Sequence, residues 1–304
     1  MTVTAHPSTF SETRFLTDIQ NASAALNAPY SQKTTQEILT TFHESFTRGC
    51  VLWRTTEQPN ADLNYRVYER KSIDLVTVAG DAGLLEQNER LGNLIKSWSS
   101  LYGAESYQLC DFDASRGLVK FWVFLGGVRP LDQVLRIHEL PACIRNSRAV
   151  FEDVGLTGVR HTAVDLEKRS INLYFQTRGV LTRDAFNDYI ALSGADPVEE
   201  DEILFESIQK HFPASGGTFA VTMDFSTGRI SRVAFYALRL DLGDMPVVGE
   251  RVQRFFDVCP SYDREEMRAI AWSFGRGKRY VKAEHSHSGE LVGMLRGWRT
   301  AMTV

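Results

Sequence analysis

The chain has 304 residues, 43% hydrophobic and 24% charged, the balance of a soluble globular protein with apolar mass enough for a sizeable core. A formal charge of −4 excludes a global attraction for nucleic acid or an anionic membrane, so a cationic site has to be local and the expected partners are small molecules. No apolar run approaches the roughly 20 residues that span a bilayer, and "MTVTAHPSTF" is not a secretory leader; the reading is one cytoplasmic domain over residues 1–304.

Two amphipathic helical patterns come first, "SETRFLTDIQNASAALN" and "TTQEILTTFHESFTRG", with Ser11 as N-cap, Gly49 just past the end, and Ile38, Leu39, Phe42 and Phe46 at helical spacing. A hairpin follows, "CVLWRTTE" and "LNYRVYER" around Asn60. Helices "IDLVTVAGDAGLLE" and "NERLGNLIKSWSSLYG" lead to a second hairpin, "YQLCDFD" and "LVKFWVFLGG" around Arg116. Helices "LDQVLRIHEL" and "CIRNSRAVFEDVG" precede a third, "GVRHTAVDL" and "SINLYFQT" around Lys168. Helices "TRDAFNDYIALSG" and "EEDEILFESIQKHF" precede a fourth, "TFAVTMDF" and "ISRVAFYALRL" around Thr227, where the late Gly228 suits a type I turn with a bulge. "PVVGERVQRFFDVC" leads to a fifth, "MRAIAWSFG" and "RYVKAEHS" around Arg276, and "GELVGMLRGWRTAM" is a closing helix.

Turn centres near 60, 116, 168, 227 and 276 recur at a loose but consistent period, with helices filling the gaps. Ten antiparallel strands in an open sheet would leave two edges exposed. Closure removes them, so the expected fold is an α/β protein: a ten-stranded antiparallel β-barrel of five hairpins inside a ring of α-helices, stable as a monomer.

Period-two sorting separates the faces of these strands. One is apolar: Val51 and Trp53; Val119, Phe121, Val123 and Leu125; Ile171, Leu173 and Phe175; Phe219, Val221, Met223 and Phe225; Val233 and Phe235. The other carries Arg54; Asn64, Arg66 and Tyr68; Lys120, Trp122 and Phe124; Arg160 and Thr162; Ser170, Asn172, Tyr174 and Gln176; Thr218 and Thr222; Arg232 and Tyr236; Lys282, Glu284 and Ser286. A solvated sheet face is the plain alternative. Against it stand the large aromatics among the cations, the near absence of balancing carboxylates in a net-acidic chain, and the lack of edge protection.

A cationic, aromatic-lined lumen suits a ligand with a polyanionic head: Arg and Lys clamp phosphate oxygens, and rings stabilise a carbocation. That combination suggests an allylic diphosphate. No GxGxxG or GxxxxGK[ST] loop supports a nucleotide, and no DDxxD cluster supports a metal-bound diphosphate. "VEEDE" near residue 200 reads as a solvated helix start. Cys50, Cys110, Cys143 and Cys259 are scattered and read as free thiols. His285 and His287 have strand spacing for two metal ligands but no third ligand nearby, and His285 falls on the outer face with Val281 and Ala283; no metal site is assigned.

The segments "VDLEKRSINLYF", "YVKAE", "GLVKFWVFLGG" and "STGRISRVAFYAL" resemble the soluble aromatic prenyltransferases of the ABBA, or PT-barrel, superfamily. "VLWRTT", "DAGLLE" and "WSFGR" bring the chain closest to the aminocoumarin-type 4-hydroxyphenylpyruvate dimethylallyltransferases, over about residues 10–300. The resemblance implies that Arg54, Arg66, Lys120, Asn172, Arg232 and Lys282 hold the prenyl diphosphate, with Tyr174 near it. Some members bind magnesium through an aspartate on the second strand; Asn64 stands there, with Arg66 two residues on, so no cofactor is expected and dimethylallyl diphosphate is a substrate.

The expected reaction is metal-independent electrophilic aromatic substitution in secondary metabolism. Lys120 and Lys282 stabilise the leaving diphosphate, Trp122 and Tyr174 shelter the dimethylallyl cation, and Glu284 removes the proton. Arg160 pairs with an acceptor carboxylate, and Thr162, Ser286, Trp122 and Tyr236 complete the acceptor site. Two alternatives stand beside this: the same chemistry on a dihydroxynaphthalene or phenazine, and a non-catalytic barrel that carries a small anionic aromatic.

Overall fold

The computed structural model describes residues 9–85, 89–198, 201–214, 216–241 and 243–298. The strands are β1 (Cys50–Thr56), β2 (Asn64–Tyr68), β3 (Tyr107–Asp113), β4 (Gly117–Pro130), β5 (Gly158–Asp165), β6 (Ser170–Gln176), β7 (Thr218–Asp224), β8 (Ile230–Ala237), β9 (Arg268–Gly275) and β10 (Lys278–Ser288). They pair antiparallel in the order β1-β10-β9-β8-β7-β6-β5-β4-β3-β2 and close into a barrel, as expected from the five hairpins. The seam joins β1 to β10, with Arg54 opposite Glu284 on one side and Asn64 on the other.

The five turns fall at the expected centres. Asn60, Gly117, Arg169, Gly228 and Gly277 all have positive φ. In three hairpins the aspartate ending the first strand ties the turn: the carboxylates of Asp113, Asp165 and Asp224 accept from the backbone N–H groups of Ser115, Lys168 and Ser226.

Helices α1 (Glu12–Ala25), α2 (Gln32–Thr41) and α3 (His43–Arg48) precede the barrel; α4 (Leu75–Asp81) and α5 (Glu89–Tyr102) join β2 to β3. Then come α6 (Leu131–Leu135), α7 (Ala142–Arg145) and α8 (Arg148–Glu152), α9 (Arg183–Ala191) and α10 (Glu202–His211), α11 (Glu250–Val258), and α12 (Leu291–Gly297) after β10. Two expected helices are broken: the one over 34–49 bends at Phe42 (φ −106°, ψ 29°), and the one over 143–155 is two short turns. Residues 86, 88, 199, 200 and 299–302, which also fell in expected helices, lie outside the described residues.

The main core fills the space between barrel and helices. Ser11 caps α1, whose apolar face (Phe15, Ile19, Ala22) is fully buried. Trp53 stacks on Phe15 with ring centroids 4.9 Å apart and donates its indole N–H to the Pro260 carbonyl. Each large apolar side chain fully buried this way contributes about 1.5–3 kcal/mol. Across this layer the predicted outer residues of β4, β6, β7 and β8 are almost all in place.

Two positions differ, and both follow from irregular pairing. In β5 a bulge between Val159 and His161 inserts one residue, which reverses the alternation. Thr162 therefore pairs with Val123 and Leu173 on the outer face, not in the lumen, and His161 turns inward opposite Phe124 and Tyr174. In the β3–β4 hairpin the register shifts after Asp111, and Val119 borders the lumen instead of the helix layer.

The two ends of the barrel differ. Hairpin turns crowd one end; at the other, where the helices connect, α12 inserts Leu291, Val292 and Leu295 among the lumenal apolar residues. Trp298 stacks on Phe124 (centroids 4.7 Å) and Tyr107 (5.0 Å) there. The cysteines are free, with Cys50, Cys110 and Cys259 buried and Cys143 exposed. His285 lies on the outer face opposite Trp53, its Nε2 3.3 Å from Glu266, and His287 reaches Asp18 at 3.2 Å; both histidines serve packing.

Candidate active site

The lumen is two chambers with an ionic layer between them. Toward the hairpin turns lies a polar cavity bordered by Arg54, Asn64, Asp111, Lys120, Asp165, Lys168, Arg232, Tyr280 and Lys282. Toward α12 lies a cavity bordered by Trp122, His161, Tyr174, Tyr236, Leu238, Met267 and Leu295, with Arg66, Arg160 and Glu284 as its charged members.

Asp111 organises the layer between them. Its carboxylate, fully buried, accepts from Arg54 Nη1 (2.5 Å) and from Arg66 Nε (2.5 Å) and Nη2 (3.1 Å). Glu284 Oε1 lies 3.4 Å from both Arg54 Nε and Arg66 Nη2. Two guanidiniums and two carboxylates thus largely neutralise one another. Burial alone would raise Asp111, but Arg66 and Arg54 outweigh it and hold the carboxyl down to about 2. Sequence reading missed Asp111 because the faces of β3 were not sorted; a lone carboxylate between Cys110 and Phe112 was the available signal.

Arg66 therefore differs from expectation: it borders the aromatic chamber, its charge is met by Asp111 and Glu284, and its Cζ sits 4.0 Å from the Trp122 ring centroid. Tyr174 also faces the aromatic chamber, 4.5 Å from Trp122 and 5.8 Å from Tyr236.

A continuous chain of hydrogen bonds crosses the polar chamber. Lys120 Nζ donates to Asn172 Oδ1 (3.2 Å), and Asn172 Nδ2 donates to Thr222 Oγ1 (2.9 Å). Arg232 Nη2 donates to the same hydroxyl (3.1 Å), and Arg232 Nη1 donates to the Tyr280 hydroxyl (2.8 Å). Five different strands supply these five side chains. Period two puts Tyr280 on the inward face with Lys282 and Glu284, but the sequence assigns it no role in the site.

Among the described residues the Lys282 Nζ makes no hydrogen bond or ion pair, and the Lys120 Nζ donates only to Asn172. Both lysines are 5% exposed, so each charge is nearly buried with little to meet it. Burial, then the Arg54 charge, pushes Lys120 down to about 7; burial, then Arg232, Arg54 and Lys120, holds Lys282 well below the usual lysine range.

In the aromatic chamber Arg160 is the bulged residue of β5, 7% exposed, and donates from Nη2 to Gln176 Oε1 (2.7 Å). His161 lies beside Phe124 and Tyr174; burial and the Arg160 and Arg66 charges push it down to about 3, so it is a neutral imidazole. Ser286 does not line this chamber: its hydroxyl accepts from the Met267 N–H (3.0 Å) and pairs with Ser261 Oγ (3.0 Å), fixing the approach to β9. With Thr162 outside, the residues expected to bind the acceptor that the structure brings together are Arg160, Trp122 and Tyr236.

Residues 10–299 match the family described as aromatic prenyltransferase Orf2. The chain belongs to that family. The prenyltransferase is 46% identical over 302 residues to an aromatic prenyltransferase of Sclerotinia sclerotiorum, covering 98% of this chain and 97% of the relative. It is 40% identical to the 4-hydroxyphenylpyruvate 3-dimethylallyltransferase of Streptomyces niveus, covering 95% and 88% of the two chains. In fold it is similar to the 5-dimethylallyltryptophan synthase of Streptomyces coelicolor (TM-score 0.58, 10% identity, 91% and 97% covered). The protein is thus an enzyme that transfers a prenyl group to an aromatic ring, on a PT-barrel fold. Among the described residues no helix is long and apolar enough to cross a membrane.

Proposed function

We propose that the enzyme transfers the dimethylallyl group of dimethylallyl diphosphate to the ring of a small phenol carrying a carboxylate, such as 4-hydroxyphenylpyruvate, without a metal ion. The observation that carries this reading is the pairing of an under-neutralised lysine chamber with an aromatic chamber holding a buried guanidinium.

The diphosphate fits the polar chamber, where Lys120, Lys282 and Arg232 meet its oxygens, Tyr280 and Asn172 orient the cations, and Arg54 forms the inner wall. As the C–O bond breaks, charge grows on the leaving oxygen and these fixed donors stabilise it. The allyl cation then faces Tyr174 and Tyr236, because the Trp122 ring already carries Arg66 at 4.0 Å and Lys120 at 4.5 Å. The phenol ring attacks C1, and Glu284, at the boundary of both chambers, takes the proton. Asp111 is occupied by two guanidiniums and Asn64 stands opposite Arg54, so a divalent cation would be set against positive charge; these residues do not fit one. The closed sheet offers no edge for a partner strand, which supports a monomer.

Incubation with dimethylallyl diphosphate and a panel of phenols in EDTA should give diphosphate release and a product heavier by one C5H8 unit. Tight ligand binding with no diphosphate release would mark a carrier, and activity that returned only with magnesium would overturn the metal-free mechanism.

Binding should also take up protons. Lys120 and Lys282 have lowered pKa values in the free enzyme and regain their protons beside the diphosphate. Affinity for a thiolodiphosphate analogue therefore falls as pH rises through 7, where Lys120 loses its proton, toward the ordinary lysine value near 10.4, by up to about tenfold per pH unit, and Lys282 adds in the same direction. Calorimetry at pH 8 in buffers of different ionisation enthalpy checks this; a heat independent of the buffer would count against it.

A further inference from the structure

Gln176 ends β6 beside the β5 bulge, opposite Thr218 of β7. Its amide meets the one charged group of the aromatic chamber that has no carboxylate: among the described residues Arg160 makes no ion pair, and its Nε is buried without a partner. Arg has donors only, so the amide oxygen has to be the atom that faces it. A guanidinium left this way keeps its full charge while one of its nitrogens is fixed in direction. Ion pairs do the opposite at the neighbouring Arg54 and Arg66, which are aimed and neutralised together.

The other end of the Gln176 amide lies close against the backbone at Gly216. Gly216 has φ +136°, and a Cβ there would stand 2.5 Å from Gln176 Nε2 and 3.1 Å from its Cγ. A side chain at 216 would push the amide off its seat. The glycine is thus required twice, for its backbone angle and for the close approach of Gln176.

We propose that Gln176, seated on Gly216, is a positioning residue that aims Arg160 at the acceptor's carboxylate without cancelling its charge, and so sets a preference for anionic over neutral phenols. The inference rests on the proposed pairing of Arg160 with that carboxylate. A glutamate at 176 would have the same reach and would neutralise the guanidinium; a leucine would fill similar space and leave it unaimed.

The test compares 4-hydroxyphenylacetate with its uncharged methyl ester as acceptors, in the wild type and in Arg160→Gln, Gln176→Glu and Gln176→Leu. Each preparation is also titrated with a thiolodiphosphate analogue, whose affinity reports on an intact donor site. The wild type should favour the acid. Gln176→Glu should lower kcat/KM for the acid about 30-fold or more while the ester changes by less than about threefold. Gln176→Leu should raise KM for the acid with kcat for the ester retained. A purely structural role would instead lower both acceptors together, and that result overturns the proposal. If Arg160→Gln abolishes the preference and both Gln176 variants keep it, the positioning role fails while the Arg160 pairing stands. If the wild type shows no preference, or Arg160→Gln retains it, the pairing itself fails and the proposal with it.

Discussion

Replacing Asp111 with asparagine should cost the barrel about 3–5 kcal/mol of stability, read as a lower urea midpoint. The reason is the company the carboxylate keeps. It accepts three hydrogen bonds from Arg54 and Arg66, and removing its charge leaves two buried guanidiniums with only Glu284 between them. The amide must also present N–H groups to donors, which adds an unsatisfied contact. The pH dependence gives an independent check. A carboxyl held down to about 2 in the folded protein contributes stability that is present above the ordinary aspartate value near 3.9 and is lost as pH falls through 2. Wild-type stability should therefore drop across that window by more than that of the variant. A loss smaller than about 1 kcal/mol for Asp111→Asn would mean that the ionic layer relaxes freely, and would undo the account of Asp111 as its organiser.

Lys282→Met should act in the opposite sense on the fold. Among the described residues the ammonium group makes no hydrogen bond or ion pair and meets only the Tyr236 ring, at 5.7 Å, so exchanging it for a methionine of similar shape removes a poorly compensated buried group and should leave stability unchanged or raised. Catalysis should fall about 10²–10³-fold in kcat/KM for the diphosphate, the usual effect of deleting a donor that meets developing negative charge. Glu284→Gln provides the contrast: the thiolodiphosphate analogue should still bind, because Glu284 borders the other chamber, while turnover is lost. Full turnover in Glu284→Gln would remove it from the base role. A Lys282→Met enzyme with wild-type kinetics would show that the diphosphate sits elsewhere.

The sequence made the barrel and most of its lumen legible because both depend on local rules. Turn residues mark the five hairpins, and the period-two alternation separates Phe121 and Val123 from Lys120 and Trp122 without knowledge of any neighbour. The misplaced residues depend on something else. Thr162 leaves the lumen and His161 enters it because β5 carries one more residue than β6 accommodates, and Val159-Arg160-His161 has no glycine or proline to announce it. The division of cations was also hidden: Arg54, Arg66 and Lys282 look alike on the inward face, and only the position of Asp111, about forty to sixty residues away in the chain from the two arginines, decides which of them stays available. Ser286 has lumenal parity but lies at the barrel's end, where loop groups before β9 claim its hydroxyl.

The seam between β1 and β10 has a consequence for how the protein is made. These strands begin at residues 50 and 278, so the last hydrogen-bonded ladder joins segments separated by most of the polypeptide. During synthesis β1 emerges early and one of its long sides stays open until the tenth strand leaves the ribosome. Contacts of such sequence separation fold slowly and expose the intermediate to aggregation. Because Arg54 meets Glu284 across this ladder, no shorter nascent chain can assemble the boundary between the chambers. Catalytic competence therefore arrives in a single late event, when the cylinder is zipped shut.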